Sequence, residues 1–283
     1  MKKKRFSTVI LILIFLVGLS LVLYPTFSDW WNSMHQSRAI ATYAEQVAEL
    51  DENKYEALWA EARAYNHSLT LRENGFALTE EQAERYNQLL NVGGSGIMAY
   101  VEVPSIGVSY PIYHGTDEAV LQIAIGHIEW TSLPTGGEST HCVISGHNGL
   151  PSAKLFTNLN KLGEGDLFMI RTLDETLTYA VDQILIVLPH EAAALQIEEG
   201  KDLCTLVTCT PYGVNSHRML VRGHRIENLE ESKVVRVTAN AVMIDALLVA
   251  AALAAPVILL LLVALMIPRR KPRRRSTRPF DEM

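Results

Sequence analysis

One segment of this sequence predicts a β-hairpin that carries a cysteine and an arginine beside its turn. It reads TLVTCTPYGVNSHRMLVRGHR, residues 205–225. Apolar, strand-like residues precede Cys209, Thr210-Pro211-Tyr212-Gly213 predicts a turn, and a second strand-like run begins at His217. Alternation along that run places Arg218 on the same side as Cys209. Such a hairpin would hold a sulfur beside a fixed guanidinium, which suits a thiolate nucleophile.

The competing interpretation of Cys209 is structural. A lone cysteine in an apolar strand is usually a small buried hydrophobe. Packing alone, however, does not call for an arginine nine residues later, directly after a turn and on the same side. The pair therefore favours chemistry over packing.

Two long apolar runs, residues 6–24 and 246–267, are each long enough to cross a bilayer. Four basic residues precede the first run and seven follow the second, which predicts that both termini are cytoplasmic and that the middle of the chain is extracellular. The first run could also be a secretory signal peptide. Because residues 21–25 are too bulky for a cleavage site, an uncleaved anchor is favoured.

The charge of the exported part excludes one class of function. Residues 25–245 contain 14 basic and 29 acidic residues, a net charge of −15. Nucleic-acid binding needs the opposite sign, so no nucleic-acid partner is expected. The basic tail is interpreted as a membrane-surface anchor.

The pattern of the exported part predicts helices followed by short strands. Residues 34–66 are rich in Ala and Glu and predict a helix. A capping box at Thr79 predicts a second one, and 117–125 and 151–162 predict two short helices. The predicted strands are 98–103, 108–113, 141–145, 167–172, 177–188, 202–208 and 217–225. Seven or eight strands of this length indicate a closed barrel or a sandwich.

A cysteine nucleophile needs an imidazole nearby, and His147 is the best placed. It follows the predicted strand 141–145 and lies in the loop Gly146-His147-Asn148-Gly149. The alternative is that His147 only satisfies the turn. His114 and His127 also neighbour glycines, so position does not decide among them.

Residues from about 97 to 226 resemble a class C, pilus-assembling sortase. The resemblance lies in PIYHGTDEAVLQIAIGHIEWTSLPTGGESTHCVISGHNGLPSAKLFTNLNKL and in TLVTCTPYGVNSHRMLVRGHR, and the terminal apolar runs fit the same class. It implies a mainly β fold, an eight-stranded sortase-type β-barrel with short helices, an N-terminal helical region and terminal transmembrane helices. It also implies the catalytic residues His147, Cys209 and Arg218, with no cofactor and no metal.

The resemblance and the patterns together divide the chain into six parts. They are an N-terminal transmembrane signal-anchor or signal peptide (1–24), a helical region with a possible lid (25–96), the catalytic barrel (97–226), a linker (227–245), a C-terminal transmembrane helix (246–267) and a basic cytoplasmic tail (268–283).

The implied activity is that of a membrane-anchored cysteine transpeptidase. It would cleave an LPxTG-like sorting signal between Thr and Gly and join pilin subunits through a lysine isopeptide bond. The implied partners are pilin or surface-protein substrates and the membrane. Three alternatives remain open: a sortase that anchors proteins to peptidoglycan, a thiol protease, and a non-catalytic membrane-tethered scaffold.

Two features concern regulation and redox state. Many class C sortases carry an Asp-Pro-aromatic lid motif, which is absent here because no proline lies between Pro25 and Pro104. Residues 71–78 are the candidate replacement, with Phe76 their aromatic residue. Cys142 and Cys204 each lie five residues before a proposed catalytic residue, and the family fold would place them side by side. A buried thiol pair is favoured over a disulfide.

Overall fold

In the computed structural model of this protein, the described residues are 2–71 and 78–228. The predicted C-terminal membrane helix, the basic tail and nearly all of the linker lie outside them. So do residues 72–77 of the candidate lid.

Three helices form the N-terminal region: α1 (Lys2–Ala48), α2 (Glu52–Thr70) and α3 (Glu80–Gln88). The helix predicted over 34–66 is divided between α1 and α2, because the Asp51 side chain accepts the backbone N–H of Lys54 (2.9 Å) and starts a new helix. The capping box predicted at Thr79 is confirmed: Thr79 and Gln82 exchange side-chain and backbone hydrogen bonds at the start of α3.

Eight strands follow and close into a barrel. They are β1 (Ile97–Val103), β2 (Val108–His114), β3 (Ile125–His127), β4 (Thr140–Ser145), β5 (Leu167–Thr172), β6 (Glu175–Val187), β7 (Asp202–Thr210) and β8 (His217–Ile226). Their order around the barrel is β1-β2-β3-β4-β7-β8-β6-β5. The β2–β3 and β4–β7 pairs are parallel and the others antiparallel. The predicted eight-stranded barrel is confirmed, and the sandwich is excluded.

Two predicted helices are wrong in extent or kind. The helix expected over 117–125 is only α4 (Glu118–Leu121), and the end of that range begins strand β3, which pairs with β2. Residues 151–162 form turns and a short 3₁₀ segment, Leu159–Lys161. There Leu155 has a left-handed backbone (φ 38°), and the N–H of Phe156 is bonded to the His147 carbonyl across the loop (3.1 Å), so a continuous α-helix cannot form.

Alternation along the strands produces two apolar clusters. The larger one fills the barrel and continues under the N-terminal helices, where Tyr43, Trp59 and Tyr86 are buried. The smaller one, which we call the outer cluster, lies on the outside of the barrel and consists of Val143, Leu195, Val207 and Leu220. Because side chains two apart along a strand share a face, Cys209 follows Val207 on this outer face, and Arg218 precedes Leu220.

Candidate active site

The β7–β8 hairpin sets Cys209 and Arg218 directly opposite each other. They are register partners in the last pair but one of the antiparallel ladder, close to the turn that begins with the cis bond Thr210–Pro211. Both are partly exposed, whereas Val207 and Leu220 beside them on the same face are buried. The predicted hairpin is confirmed, and it opens its sulfur and its guanidinium to solvent at one end of the barrel.

The loop that carries His147 is bonded to the end of β7. Strands β4 and β7 run parallel, with Ser145 opposite Val207. Beyond that pair, the Gly146 N–H donates to the Val207 carbonyl (3.0 Å), and Thr208 Oγ1 donates to the Gly146 carbonyl (2.7 Å). The loop that carries His147 therefore starts next to the last residues of β7, where Cys209 lies.

Asn148 was not among the predicted site residues, although it lies in the same glycine-flanked loop. Its Nδ2 donates to the Cys209 carbonyl oxygen (2.9 Å), which ties the His147 loop to the backbone of the cysteine. The only sequence signal for this role is its position next to His147, because the bond joins residues 61 positions apart.

Two polar atoms of this loop lack partners. His147 Nε2 and Asn148 Oδ1 are buried, and neither makes a hydrogen bond within the described part of the chain. Buried polar atoms are usually paired, so each exception calls for an explanation, of which a catalytic role is one. The unpaired nitrogen of His147 thus lies in the loop that Asn148 ties to the Cys209 carbonyl.

The Arg218 side chain is fixed from one side only. Its Nη1 donates to the carbonyl oxygens of Asn215 (3.2 Å) and His217 (3.1 Å) at the end of the turn. Among the described residues no carboxylate pairs with it. A guanidinium has five N–H donors, so the remaining ones can reach a carbonyl or an oxyanion near Cys209.

The histidines that competed with His147 are structural. His127 is fully buried, with Nε2 donating to the Ser132 carbonyl (2.8 Å) and Nδ1 beside the Tyr86 hydroxyl (2.9 Å). The ring nitrogens of His114 lie against the carbonyl oxygens of Gly96 and Leu89, and burial lowers the pKa of His114. Both rings join the N-terminal helical region to the barrel.

Cys142 and Cys204 are the side-by-side pair that the family fold implied. They are register partners on the parallel strands β4 and β7, both are buried, and both are free thiols. Burial raises the pKa of Cys204 well above its usual range. Cys209 is thus the only cysteine of the chain that is not buried, since all three lie within the described residues.

A polar network holds the β6–β7 connection against strand β8. Arg222 on β8 donates to both carboxylate oxygens of Asp182 (3.0 and 3.1 Å) and to Glu198 in the connection (2.8 Å). His141 Nδ1 donates to the Gln196 carbonyl of the same segment (2.8 Å). These bonds hold the segment from which Leu195 packs into the outer cluster, together with Val207 and Leu220 of β7 and β8.

The site contains no metal-binding arrangement. Within residues 2–71 and 78–228, no group of three or more His, Cys, Asp or Glu side chains could hold a metal ion. The candidate site residues present a thiol, an imidazole and a guanidinium.

Comparison with known proteins agrees with this geometry. A family model described as the sortase domain matches residues 101–226. The solved structure of sortase C1 from Streptococcus agalactiae is 49% identical with a TM-score of 0.66, and the match covers 68% of this chain and 99% of that one. Sortase C from Streptococcus pneumoniae is 41% identical with a TM-score of 0.61, and the match covers 68% of this chain and 97% of that one. A Clostridium perfringens sortase C, solved with the C-terminal cell wall sorting motif, is 38% identical with a TM-score of 0.60. That match covers 68% of this chain and 99% of the other.

The closed barrel, the partly exposed thiol of Cys209 and these similarities define a cysteine transpeptidase. The chain belongs to the sortase family, and the solved structures that it resembles are class C sortases.

Proposed function

We propose that this protein is a membrane-anchored pilin polymerase. In this proposal it cleaves an LPxTG-like sorting signal between Thr and Gly and transfers the new Thr carboxyl group to a lysine of another pilin subunit. His147, Cys209 and Arg218 are the catalytic residues, and residues 97–226 form the catalytic domain. The observation that carries the proposal is the Cys209–Arg218 pair, with the His147 loop bonded to the Cys209 backbone.

The first half-reaction forms a thioacyl-enzyme. The Cys209 thiolate attacks the Thr carbonyl carbon, and a C–S bond forms while the C–N bond to Gly breaks. His147, in its protonated form, donates its proton to the leaving Gly amine. Arg218 donates hydrogen bonds to the oxyanion of the tetrahedral intermediate, at the place where negative charge develops.

The second half-reaction returns the enzyme to its starting state. A lysine Nζ attacks the thioester carbonyl, and its excess proton passes to the His147 imidazole. The C–S bond then breaks, releasing an isopeptide and regenerating the Cys209 thiolate. The unpaired Nε2 of His147 supports both proton transfers, since it has no competing partner among the described residues.

The acceptor amine separates this proposal from cell-wall anchoring. The full chain in lipid nanodiscs would receive a pilin that ends in an LPxTG-like signal, together with equal amounts of a lysine-bearing pilin and an oligoglycine amine. We expect mass spectrometry to find the Thr carboxyl group joined to a pilin lysine. Product on oligoglycine alone would support anchoring instead, and hydrolysed product alone would indicate a thiol protease.

Arg218→Lys is expected to lower kcat/KM on a sorting-signal peptide by about 10²-fold. A lysine ammonium keeps the positive charge. It lacks the planar set of N–H donors with which a guanidinium can bond the turn carbonyls and an oxyanion at the same time. Steady-state kinetics on the purified protein would measure the loss. Arg225→Lys, at the other end of β8, is the matched control and should keep activity within about twofold. Full activity in Arg218→Lys would mean that charge alone suffices.

Membrane anchoring by α1 is part of the proposal. Among the described residues, one helix is long and apolar enough to cross a membrane; it is the part of α1 from residue 11 to 48, with a mean hydropathy of 2.2 in its most apolar window. The basic residues 2–5 support a cytoplasmic N-terminus, and those after residue 268 support a cytoplasmic C-terminus. The catalytic barrel is then extracellular.

A further inference from the structure

Helix α1 contacts the active-site end of the barrel immediately after its apolar stretch. The Asp29 carboxylate pairs with Lys154 Nζ (3.1 Å) and accepts the Lys154 backbone N–H (3.0 Å). One turn later, Asn32 Nδ2 donates to the Ser152 carbonyl (2.7 Å). Ser152 and Lys154 belong to the loop that begins with His147. The first contacts of α1 with the barrel are therefore made at the catalytic loop.

A second contact fixes the direction in which α1 runs along the barrel. The buried Tyr43 hydroxyl donates to the Met98 carbonyl (2.9 Å) and accepts the Leu173 N–H (2.8 Å). Leu173 lies in the β5–β6 turn, and β6 runs from there to Val187, which is the register partner of Arg218. Leu173 thus marks the end of the barrel opposite to the active site, so α1 passes from the active-site end to the far end.

The same stretch of α1 is where the chain leaves the proposed membrane span. No charged residue lies between Arg5 and Asp29, and these positions extend about 35 Å as a helix, enough for the bilayer core. Tyr24, Phe27 and Trp30 close the stretch with exposed side chains. Aromatic residues of this kind mark the membrane–water interface. Asp29, which binds the catalytic loop, is thus at the interface itself.

The turn after Cys209 presents exposed apolar side chains at this end of the barrel. Tyr212 and Val214 are 68% and 69% exposed. The Tyr212 ring packs over Gly149 of the catalytic loop, where a Cβ would come within 2.2 Å of the ring. The turn 211–214 therefore packs against the loop that Asp29 and Asn32 hold at the membrane–water interface.

We propose that the barrel stands with its active-site end toward the bilayer and that the turn 211–214 inserts into the interfacial layer of the outer leaflet. The occupant of this surface is lipid, at the boundary between headgroups and acyl chains. The inference rests on the proposed membrane anchoring. In this orientation Cys209 receives its substrate close to the membrane surface, and the start of β7 at Asp202 lies at the end of the barrel away from the membrane.

Spin-label depth measurement on the full chain in phosphatidylcholine–phosphatidylglycerol liposomes tests the orientation. Val214→Cys would carry the nitroxide in a Cys209→Ala background, where the buried Cys142 and Cys204 do not react. Glu199→Cys, exposed just before the start of β7, is the matched control. We expect the ratio of oxygen to nickel-chelate accessibility to be at least about threefold higher at 214 than at 199, because oxygen partitions into lipid and the chelate does not. Equal, aqueous ratios at both sites would overturn the proposal.

A second arm distinguishes lipid from substrate as the occupant. Val214→Asp in the otherwise unchanged chain should cleave a soluble sorting-signal peptide at a rate within about twofold of the original, because Val214 lies outside the catalytic residues. With the substrate embedded in the same liposomes, its rate should fall about tenfold, since a buried carboxylate is costly at the interface. Equal losses on both substrates would mean that Val214 contacts substrate, which overturns the lipid assignment. No peptide cleavage by the chain that retains Cys209, together with a lipid-exposed label at 214 in the Cys209→Ala background, would instead contradict the proposed catalytic function while the orientation stands.

Discussion

Cys209→Ala is expected to abolish thioacyl-enzyme formation and to lower transpeptidation by on the order of 10⁴-fold or more. The sulfur is the nucleophile in the proposed site, and no other thiol of the chain can replace it, since Cys142 and Cys204 are buried. The fold should survive, because Cys209 is partly exposed at the end of β7 and alanine fits its backbone. Intact-protein mass spectrometry after incubation with a sorting-signal peptide measures the adduct, and circular dichroism checks the fold.

Cys204→Ala is the matched control for this experiment. It removes a thiol from the same strand, five residues earlier, where the side chain is buried in the barrel and its raised pKa keeps it protonated. We expect lower thermal stability but normal acylation in the folded fraction. An adduct on the Cys209→Ala chain, or acylation lost equally in both variants, would remove Cys209 from its proposed role.

His147→Ala should lower the rate of transpeptidation by about 10²–10⁴-fold, the usual contribution of a positioned general acid–base. Thioester formation requires the Gly amine to leave with a proton, and the proposed donor is the imidazole whose Nε2 is unpaired among the described residues. A leaving group that needs no proton should largely restore acylation. Comparing a peptide with an activated ester analogue in a stopped-flow assay would therefore separate loss of the acid from loss of the fold.

The control histidine must be one that folding does not need. His114 and His127 are unsuitable because both are buried and bonded across the N-terminal region, so their alanine variants would test stability. His224, exposed near the far end of β8, is suitable. We expect His224→Ala to retain activity within about twofold. A comparable loss in both variants, or no rescue by the ester, would contradict the role of His147.

Local patterns were enough to predict most of the barrel and the hairpin of the site. Strand alternation placed Cys209 and Arg218 on one side, and the structure makes them register partners. The capping box at Thr79 could also be predicted from local sequence, because all of its hydrogen bonds lie within four residues. Placing Cys142 beside Cys204 required the family resemblance, because their contact depends on a parallel strand pair.

Features held by distant bonds were not predictable. Strand β3 has three residues and forms only through its pairing with β2 and β4, so its sequence resembled the end of a helix. Residues 151–162 looked helical, but Leu155 in a left-handed conformation and the bonds to Asn32 and Asp29 hold them as a loop. The role of Asn148 depends on the carbonyl of Cys209, 61 positions away, and no local pattern encodes that bond.

The parallel pairing of β4 with β7 determines when in folding the site can form. The proposed acid, His147, follows β4, and the proposed nucleophile, Cys209, lies near the end of β7. The whole β5–β6 hairpin lies between these two strands in the sequence. Contacts of such long sequence separation form slowly and late. Until β7 docks against β4, the Cys209 thiol therefore lacks the proposed acid next to it. We expect the proposed catalytic residues to act together only after the barrel has closed, so that a chain in which β4 and β7 are not yet paired is not acylated.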